Sequence, residues 1–496
     1  MRAKTKVRKW LITALTLTMV FPILAACTNN TNQESKQEQV LRIGVVYGGF
    51  DDSYFRQQFT DAYELTHKNV KIEIVPAINY MDQQFEEPDK NGMRKEPDRL
   101  EAIKKIMEGD NPVDVVVTDV SQFRKLARDG MLTSLDPRIQ QDQLNTDDFV
   151  PAVIDGLKSM GDGTLYGLSP TFMSSVILYN KKIFTDAGVE PPKDNMTWDE
   201  LFNLASRVST GEGKDRVFGF NFERYPSDGG FNSLMSNYTD PLNLRFVDDT
   251  KEKLLVNSPQ WEKSWSQITK LLNEKVMPSS EDMNVVYDEN SAPGPFDYDF
   301  FISGRLAMVV GDYGYINGDL SNVMKNAAKI KNFKPFEWDV VTIPSHPEAE
   351  GVSGYVQLSN IFSINQKAPN PEVAWDFVQF LNGEDWSKLR SRSSYELVSR
   401  KSFINPPAGS NYNIGAFYNV KPSTPTGSSM NDLMMEGNGN YWQLIELGRT
   451  EFQEVVKGSK SIAEALKSWE TKGNELLQQI KNNPDGGGIM PRIYGG

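Results

Sequence analysis

Residues 41–52 read LRIGVVYGGFDD, residues 70–76 read VKIEIVP and residues 113–119 read VDVVVTD. Each segment opens with β-branched and aliphatic residues and closes on Gly, Pro or Asp, which is the pattern of a strand followed by a loop. Between them, the sequence predicts a helix from about Asp52 and another near Asp98–Glu108. Strand, helix, strand, helix, strand in this order is typical of a parallel sheet flanked by helices.

The ends of these strands mark the expected place of a ligand. Ligands of open α/β sheets bind outside the carboxyl ends of the strands. In this chain those ends carry Tyr47–Asp52 and Asp119–Gln122, and the second strand is expected to end at Pro76. Polar and aromatic side chains therefore follow two strands of the predicted sheet.

Further segments extend the α/β pattern to the end of the chain. Thr197 and Glu200 form a predicted capping box, in which each side chain bonds the other residue's backbone amide. Residues 300–313 (FFISGRLAMVVGDY) predict a turn into a buried strand, and residues 353–364 predict another strand region. Helices are predicted at 371–381 and from Ser461 onward, and we expect Trp198, Trp375 and Trp469 to be core residues.

The N-terminus has the pattern of a bacterial lipoprotein signal. Five basic residues lie between positions 2 and 9, an apolar run follows to position 23, and Leu24-Ala-Ala-Cys27 closes it. The alternative, one membrane helix with an incidental cysteine, requires a longer apolar run. We interpret residues 1–26 as a signal peptide and Cys27 as the residue that receives the lipid. The protein is then anchored at the extracytoplasmic face of the cell membrane.

Composition limits the remaining possibilities. Residues 1–26 carry five positive charges and no negative ones, so their removal takes the net charge from −13 to −18. Such a chain repels phosphate backbones, and we expect no nucleic acid partner. The remaining 470 residues exceed what one core usually serves, which predicts two lobes. Cys27 is the only cysteine, so no disulfide within the chain is possible.

Motifs for catalysis or cofactors are not evident. The two histidines, His67 and His346, lie far apart in sequence and away from any nucleophile-elbow or HExxH pattern. A Ser-His-Asp site using either histidine stays open, and so does a glycosidase with two carboxylates. No Cys/His cluster suits zinc, and we expect no cofactor and no metal.

The order of these segments resembles that of a known family. A lipobox, a parallel α/β lobe, GTLYGLSP (163–170), ILYNKKIF (177–184), TWDE, the 300–313 segment and NPEVAWDFVQFL (370–381) follow one another, and an amphipathic helix closes the chain. The chain resembles the family 1 extracellular solute-binding proteins of ABC importers, a group that contains maltose- and other sugar-binding lipoproteins. The resemblance covers essentially all of the mature chain.

The resemblance implies an α/β fold with two lobes, each a mainly parallel sheet flanked by helices, with a ligand cleft between them and a hinge. It implies chain crossings near Phe172–Ser175, Gly354–Ser359 and Ser391–Tyr395. After the signal peptide (1–26) and a flexible tether (27–40), the N-terminal lobe is expected at 41–173 and 357–392. The C-terminal lobe is expected at 174–356 and 393–496.

The resemblance also implies a set of cleft residues. The matching positions are Tyr47, Phe50, Asp51, Asp52, Asp119, Thr171, Ser174, Arg224, Tyr225, Tyr313 and Trp442. Tyr313 stands where the family more often has tryptophan, which weakens the assignment to sugar. Asp119 has an alternative role as the cap of the following helix.

Two classes of function follow. The first is a non-catalytic, monomeric receptor that delivers a small solute, expected to be an oligosaccharide, to ABC permease subunits in the membrane. Within this class the ligand is open to a peptide or another polar solute. The second is a surface glycoside hydrolase that uses two of the many carboxylates.

Overall fold

The structure is a computed structural model and describes residues 38–49, 51–83, 85, 87, 97–225, 231–284, 294–331, 333–353, 355–358, 360–407, 409–423, 428–430, 433 and 441–482. Strands and helices alternate over most of this length. The predicted α/β class is therefore confirmed. Cys27 and Phe50 lie outside the described residues.

The strands, in chain order, are β1 (Gln39–Gly48), β2 (Val70–Asn79), β3 (Val115–Thr118), β4 (Gly167–Leu168), β5 (Thr171–Phe172), β6 (Ser175–Asn180), β7 (Phe218–Asn221), β8 (Leu306–Asp312), β9 (Trp338–Val341), β10 (Val352–Ser353), β11 (Ile361–Ile364), β12 (Leu397–Val398) and β13 (Lys421–Pro422).

The α-helices are α1 (Ser53–Phe55), α2 (Asp61–Thr66), α3 (Tyr80–Gln83), α4 (Arg99–Glu108), α5 (Val120–Arg128), α6 (Asp136–Gln141), α7 (Pro151–Met160), α8 (Lys181–Ala187), α9 (Trp198–Val208), α10 (Phe231–Ser233), α11 (Pro259–Asn273), α12 (Glu281–Asn284), α13 (Tyr313–Tyr315), α14 (Ser321–Lys325), α15 (Pro371–Leu381), α16 (Glu384–Arg390), α17 (Tyr441–Val456) and α18 (Ile462–Asn482). Stretches of π-helix extend α1, α10 and α13, at Arg56–Thr60, Leu234–Thr239 and Ile316–Leu320.

The first sheet has the strand order β2-β1-β3-β11-β4. β1 pairs in parallel with β2 and β3, as the strand-helix-strand pattern predicts. β2 continues through Pro76 to Asn79, so the expectation that Pro76 ends it was wrong. A proline is tolerated there because β2 is an edge strand, and its missing amide costs no ladder bond on the open side.

The second sheet has the order β7-β8-β6-β9, and it is mixed. Only β7 and β8 pair in parallel, while β6 runs antiparallel to both β8 and β9. In the first sheet β11 is likewise antiparallel to β3 and β4. Four of the five strands of the first sheet and three of the four strands of the second sheet thus share one direction, so both sheets are mainly parallel, as expected. The one antiparallel strand of each sheet, β11 or β6, lies next to a segment that passes between the sheets.

Three chain segments meet between the two sheets. Thr171–Phe172 pairs with Leu397–Val398. Met173 and Gln357 exchange both backbone hydrogen bonds, at 3.0 and 2.9 Å. These are the neighbourhoods in which crossings were expected, and the exact lobe boundaries stay a prediction.

Two apolar clusters fill the interior. One surrounds the first sheet and extends to part of the second, and the other joins α9, α11, α17 and α18 to the second sheet. Trp198, Trp375 and Trp469 are 1 %, 4 % and 0 % exposed, which confirms them as core residues. Trp469 also donates to the Leu444 carbonyl oxygen at 2.7 Å, which ties α18 to α17.

The predicted capping box at the start of α9 is present. The Glu200 amide donates to Thr197 Oγ1 at 3.2 Å, and the Thr197 amide donates to Glu200 Oε2 at 2.7 Å. The bonds that the Glu200 carboxylate accepts from the Thr197 amide and hydroxyl lower its pKa. Ser461 and Glu464 make the same exchange at the start of α18.

Candidate functional site

A cavity of about 260 Å³ lies at the carboxyl edge of the first sheet. Tyr47 at the end of β1 and Asp119 after β3 both line it, as the strand order requires. Arg99, Gln122 and Asn360 add polar groups from the starts of α4 and α5 and from the residue before β11. Val45, Val46, Phe55 and Val117 form apolar walls. We call this site the first-lobe cavity.

Tyr47 is held by contacts that the sequence did not reveal. Its ring stacks on that of Tyr80, with centroids 5.1 Å apart and planes 5° apart. Arg99 Nε donates to the Tyr47 hydroxyl at 2.6 Å, and the Arg99 guanidinium lies 5.2 Å from the ring centroid. Tyr80 is 52 % exposed. Tyr80 thus offers open aromatic surface, whereas Tyr47 already uses its hydroxyl and much of its ring.

Asp119 has both of the roles that the sequence left open. Asp119 Oδ1 accepts from the Gln122 amide at 3.0 Å, and Gln122 Oε1 accepts from the Asp119 amide at 3.2 Å. Asp119 therefore caps α5 and lines the first-lobe cavity at the same time. Burial raises the pKa of its carboxyl, although the Gln122 amide and the charge of Arg99 act in the opposite direction.

Asp51 and Asp52 are exposed and satisfied locally. Asp51 accepts from the amide and the hydroxyl of Ser53, both at 2.8 Å, and these bonds lower the pKa of Asp51. Asp52 accepts from Arg56 Nε at 2.8 Å. Neither lines the first-lobe cavity, so their assignment to the ligand stays a prediction.

Thr171 and Ser174 lie at the meeting point of the crossing segments. Both side chains are buried, at 3 % exposure each. Thr171 pairs with Val398 through β5 and β12. Ser174 Oγ has no hydrogen-bond partner among the described residues, so this hydroxyl is a polar group still open to a bond.

Arg224 and Tyr225 belong to a second cluster, in the part of the chain that forms the second sheet. The Arg224 guanidinium lies 3.9 Å from the ring centroid of Tyr315 and 5.2 Å from that of Tyr225. It also pairs with Asp299 at 3.5 Å, and the Tyr315 hydroxyl donates to Asp299 at 3.0 Å. Burial raises the pKa of Asp299. Arg224 is thus oriented by two aromatic rings and a carboxylate.

The two other aromatic candidates differ in environment. Tyr313 is 4 % exposed and packs edge-on against Phe417, with centroids 5.5 Å apart. Burial raises its pKa. Trp442, near the start of α17, is 50 % exposed. A Cβ atom on Gly314 would lie 3.3 Å from the ring of Tyr395, so the exposed Tyr395, where the third crossing was expected, lies beside α13.

The structure thus brings the predicted residues into separate groups. Tyr47 and Asp119 share the first-lobe cavity, Arg224 and Tyr225 share a cluster, and Thr171 and Ser174 share the crossing. Gln122 lies in the strand-end segment Asp119–Gln122 where a ligand was expected, whereas Tyr80, Arg99 and Asn360 were not predicted from the sequence. Tyr80 follows β2 directly, so its position at a strand end was the available signal.

The two histidines occupy different environments. His346 is 6 % exposed, and its Nε2 lies 2.7 Å from the Tyr238 carbonyl oxygen. Burial lowers its pKa. His67 follows the last residue of α2, and its Nε2 lies 3.3 Å from Oδ2 of Asp376 in α15. Within the described residues there is no group of three or more His, Cys, Asp or Glu suited to a metal ion.

No helix within the described ranges combines the length and the apolar character needed to cross a membrane. Two sheets, three segments that pass between them, and a polar cavity at a strand edge define a two-lobed solute receptor. The family of bacterial extracellular solute-binding proteins matches residues 50–388. The chain belongs to this family, which confirms the resemblance drawn from its sequence.

Relatives and solved structures agree with this fold. The sn-glycerol-3-phosphate-binding periplasmic protein UgpB of Pectobacterium atrosepticum is 23 % identical over 357 residues, which are 68 % of this chain and 71 % of that protein. The sugar-binding protein MalE of Xanthomonas citri has a TM-score of 0.58 at 14 % identity, covering 91 % of this chain and all of that one. A sugar transporter protein of Rhizobium etli, in an open conformation, has a TM-score of 0.58 at 17 % identity and covers 88 % and 99 %.

Proposed function

We propose that this solute-binding protein is a lipid-anchored, non-catalytic receptor that captures a carbohydrate between its lobes and delivers it to an ABC permease. The observation that carries the proposal is the first-lobe cavity. It places the carboxylate of Asp119, the guanidinium of Arg99 and the amides of Gln122 and Asn360 around one space beside the open ring of Tyr80.

This set of groups suits a sugar. A sugar has a rim of hydroxyls that donate and accept, so it needs acceptors and donors in one site, and Asp119 and Arg99 supply one of each. Its C–H faces pack on aromatic rings, for which Tyr80 and Trp442 offer exposed surface. The MalE and Rhizobium etli proteins are described as sugar proteins, which favours the same class.

The second candidate is another polar solute. UgpB is described as binding sn-glycerol 3-phosphate, and the positive charge of Arg99 in the first-lobe cavity favours a ligand that carries an acceptor or an anion. A glycosidase with two carboxylates is the enzymatic alternative. It differs from a receptor in releasing products.

Calorimetric titration of the purified protein tests the proposal with neutral oligosaccharides, sn-glycerol 3-phosphate and short peptides. We expect binding of an oligosaccharide that is recovered intact after long incubation. Asp119→Asn should weaken that binding, while Asp110→Asn, an exposed aspartate, should not. Recovery of shorter sugars would identify a hydrolase, and binding of only glycerol phosphate or peptide would overturn the carbohydrate assignment.

The anchor is tested separately. We infer that Cys27 receives a diacylglyceryl group, because two acyl chains give stable attachment where one gives marginal attachment. Cys27→Ser should move the expressed protein from the detergent phase to the aqueous phase without changing its melting temperature. Continued partitioning of the serine variant into detergent would contradict the lipoprotein assignment.

A further inference from the structure

A second groove, of about 490 Å³, lies on the part of the chain that forms the second sheet. Lys181 at the start of α8 and Lys325 at the end of α14 line it, together with Phe336 and with Trp338, the first residue of β9. Ser410 and Asn411 complete one wall. We call it the lysine groove, and none of the residues predicted for the solute lines it.

The lysine groove is far from the crossing segments. β6 begins at Ser175, two residues after the crossing residue Met173, and ends at Asn180, next to Lys181. The five steps of about 3.3 Å between these six strand residues separate the two ends by about 17 Å. The groove is therefore a site distinct from the solute cleft, at the outer end of the second sheet.

The segment that carries Lys325 and leads to the aromatic wall of the groove is rich in lysine. Residues 320–336 contain Lys325, Lys329, Lys331 and Lys334 and no Asp or Glu, in a chain of net charge −13. Lys329 Nζ donates to the neutral Asn326 side chain at 2.7 Å. Lys181 pairs with Asp339 at 3.1 Å, and Glu337 also lines the groove. Because salt screens charges over about 8 Å at physiological ionic strength, a ligand in the groove responds to Lys181, Lys325 and their neighbours more than to the net charge of the chain.

The floor of the groove is aromatic and well supported. The Trp338 ring packs on Tyr412, with centroids 5.4 Å apart, and Phe336 packs edge-on against Phe301 at 5.5 Å. The Lys181 amide donates to the Glu337 carbonyl oxygen at 2.9 Å, which joins the two sides. A rigid apolar surface therefore lies beside two ammonium groups.

We propose that the lysine groove binds a phosphoryl group attached to an organic body, with Lys181 and Lys325 on the phosphoryl oxygens and Trp338 against the body. Lysine is a compact, mobile charge that binds phosphate well, and hydrogen bonds to an anion are stronger than those to a neutral acceptor. Ser410 and Asn411 offer further donors. A phospholipid headgroup and a soluble phosphate ester share this chemistry.

Tryptophan fluorescence of the full-length protein tests the site with three probes: phenyl phosphate, phenol and dihexanoylphosphatidylglycerol below its micelle concentration. Phenyl phosphate should change the emission and phenol should not, and Trp338→Phe should remove most of the change. A response to the lipid alone would identify a headgroup as the source, and a response to phenyl phosphate as well would identify a general phosphate-ester site.

Charge-matched variants locate the response. Lys181→Gln/Lys325→Gln should weaken binding of the responding probe at least tenfold, and the exposed Lys325→Gln alone should weaken it in the same direction if the double variant unfolds. Lys388→Gln/Lys467→Gln makes the same change of net charge on other exposed lysines and should leave binding unchanged. The proposal would be overturned if neither phosphate probe changed the emission, or if the control pair of substitutions weakened binding of the probe as much as the groove pair does.

Discussion

Tyr313 and Trp442 are both cleft candidates, yet Tyr313 is 4 % exposed and Trp442 is 50 % exposed. A buried aromatic cut to alanine costs about 3–5 kcal/mol because it leaves a cavity, while an exposed one costs about 0.5 kcal/mol. We therefore expect Tyr313→Ala to lower the free energy of unfolding strongly and Trp442→Ala to leave it nearly unchanged. Urea unfolding of both variants measures this difference.

Tyr313→Phe is the matched control, since it keeps the edge-on contact with Phe417. It should retain most of the stability. If Tyr313→Ala weakens ligand binding without loss of stability, the ring belongs to the open cleft and its burial here does not describe the ligand-binding state.

Asp119 caps α5 and lines the first-lobe cavity, and two substitutions can separate these roles. Asparagine caps helices about as well as aspartate, so Asp119→Asn should keep α5 stable while it removes the charged acceptor from the first-lobe cavity. Asp119→Ala should lose both the cap and the acceptor, and loss of the cap should lower the free energy of unfolding by about 1 kcal/mol. Paired measurements of melting and of ligand affinity check this. Equal melting losses in both variants would contradict the assigned cap.

The same residue gives a pH dependence for binding. Because burial raises the pKa of Asp119, its carboxylate gains a proton at a higher pH than an exposed aspartate does. Ligand affinity should therefore begin to fall on acidification above the ordinary aspartate range, and the fall should be absent in Asp119→Asn. Ligand titrations between pH 7 and pH 4 measure this fall in affinity. An identical pH profile in the two proteins would mean that the Asp119 carboxylate does not contact the ligand.

Glu451 joins the two last helices. Its side chain is 1 % exposed and accepts from Lys460 at 2.5 Å, from Lys472 at 2.7 Å and from Ser468 at 2.7 Å. Burial opposes its charge, but these three donors prevail and lower its pKa below the ordinary 4.5. Because both lysines are partly exposed, we expect Glu451→Gln to cost about 1–3 kcal/mol. Glu446 forms an exposed ion pair with Arg449 on α17, and Glu446→Gln should lower the free energy of unfolding by less than about 1 kcal/mol.

The pH dependence of this effect has a definite sign. A carboxylate whose pKa is lowered by folding stabilises the folded state above its ordinary pKa and loses that contribution as the pH falls through the folded value. The stability gap between the native protein and Glu451→Gln should therefore shrink from pH 7 to pH 3. Urea unfolding at several pH values measures the gap, and a constant gap would mean that packing, not charge, accounts for the loss.

Local patterns predicted local structure well in this chain. The capping box of α9, the helix Pro371–Leu381 and the parallel pairing of β1 with β2 and β3 depend on residues close in sequence, or on one repeated unit. Pro76 was misjudged because edge position depends on the whole sheet. The antiparallel entry of β11 could not be predicted from periodicity, since it joins residue 362 to residues 117 and 168.

The part of the candidate site that lies at strand ends could be predicted from the sequence. Tyr47 and Asp119 follow strands and do line one cavity. Arg99 and Asn360 come from segments whose ends meet there only after folding, and Arg99 reaches the site through a bond to Tyr47 that spans 52 positions in sequence. The burial of Tyr313 follows from Phe417, more than a hundred residues away. Such long-range partners leave no periodic signal.

Hinge closure is the motion that we expect to bring the two groups of predicted residues together. Tyr47 and Asp119 lie at the edge of the first sheet, and Arg224 and Tyr225 lie beside the second. In the described part of the chain, the segments that pass between the sheets pair over short lengths, at β5–β12, at Met173 with Gln357 and through the Ser399 amide on the Pro170 carbonyl oxygen. Few backbone bonds therefore resist a rotation of one sheet against the other, which suits hinge closure.

A ligand shifts such an equilibrium only if it binds the closed state more tightly than the open one, and it does so by touching both lobes. We expect the radius of gyration from small-angle scattering to decrease when the protein is saturated with ligand. Asp119→Asn should need more ligand to reach the same decrease, because it weakens only the first-lobe contacts. An unchanged radius at proven saturation would mean that the ligand binds one lobe alone, and Arg224 and Tyr225 would then lose their assignment.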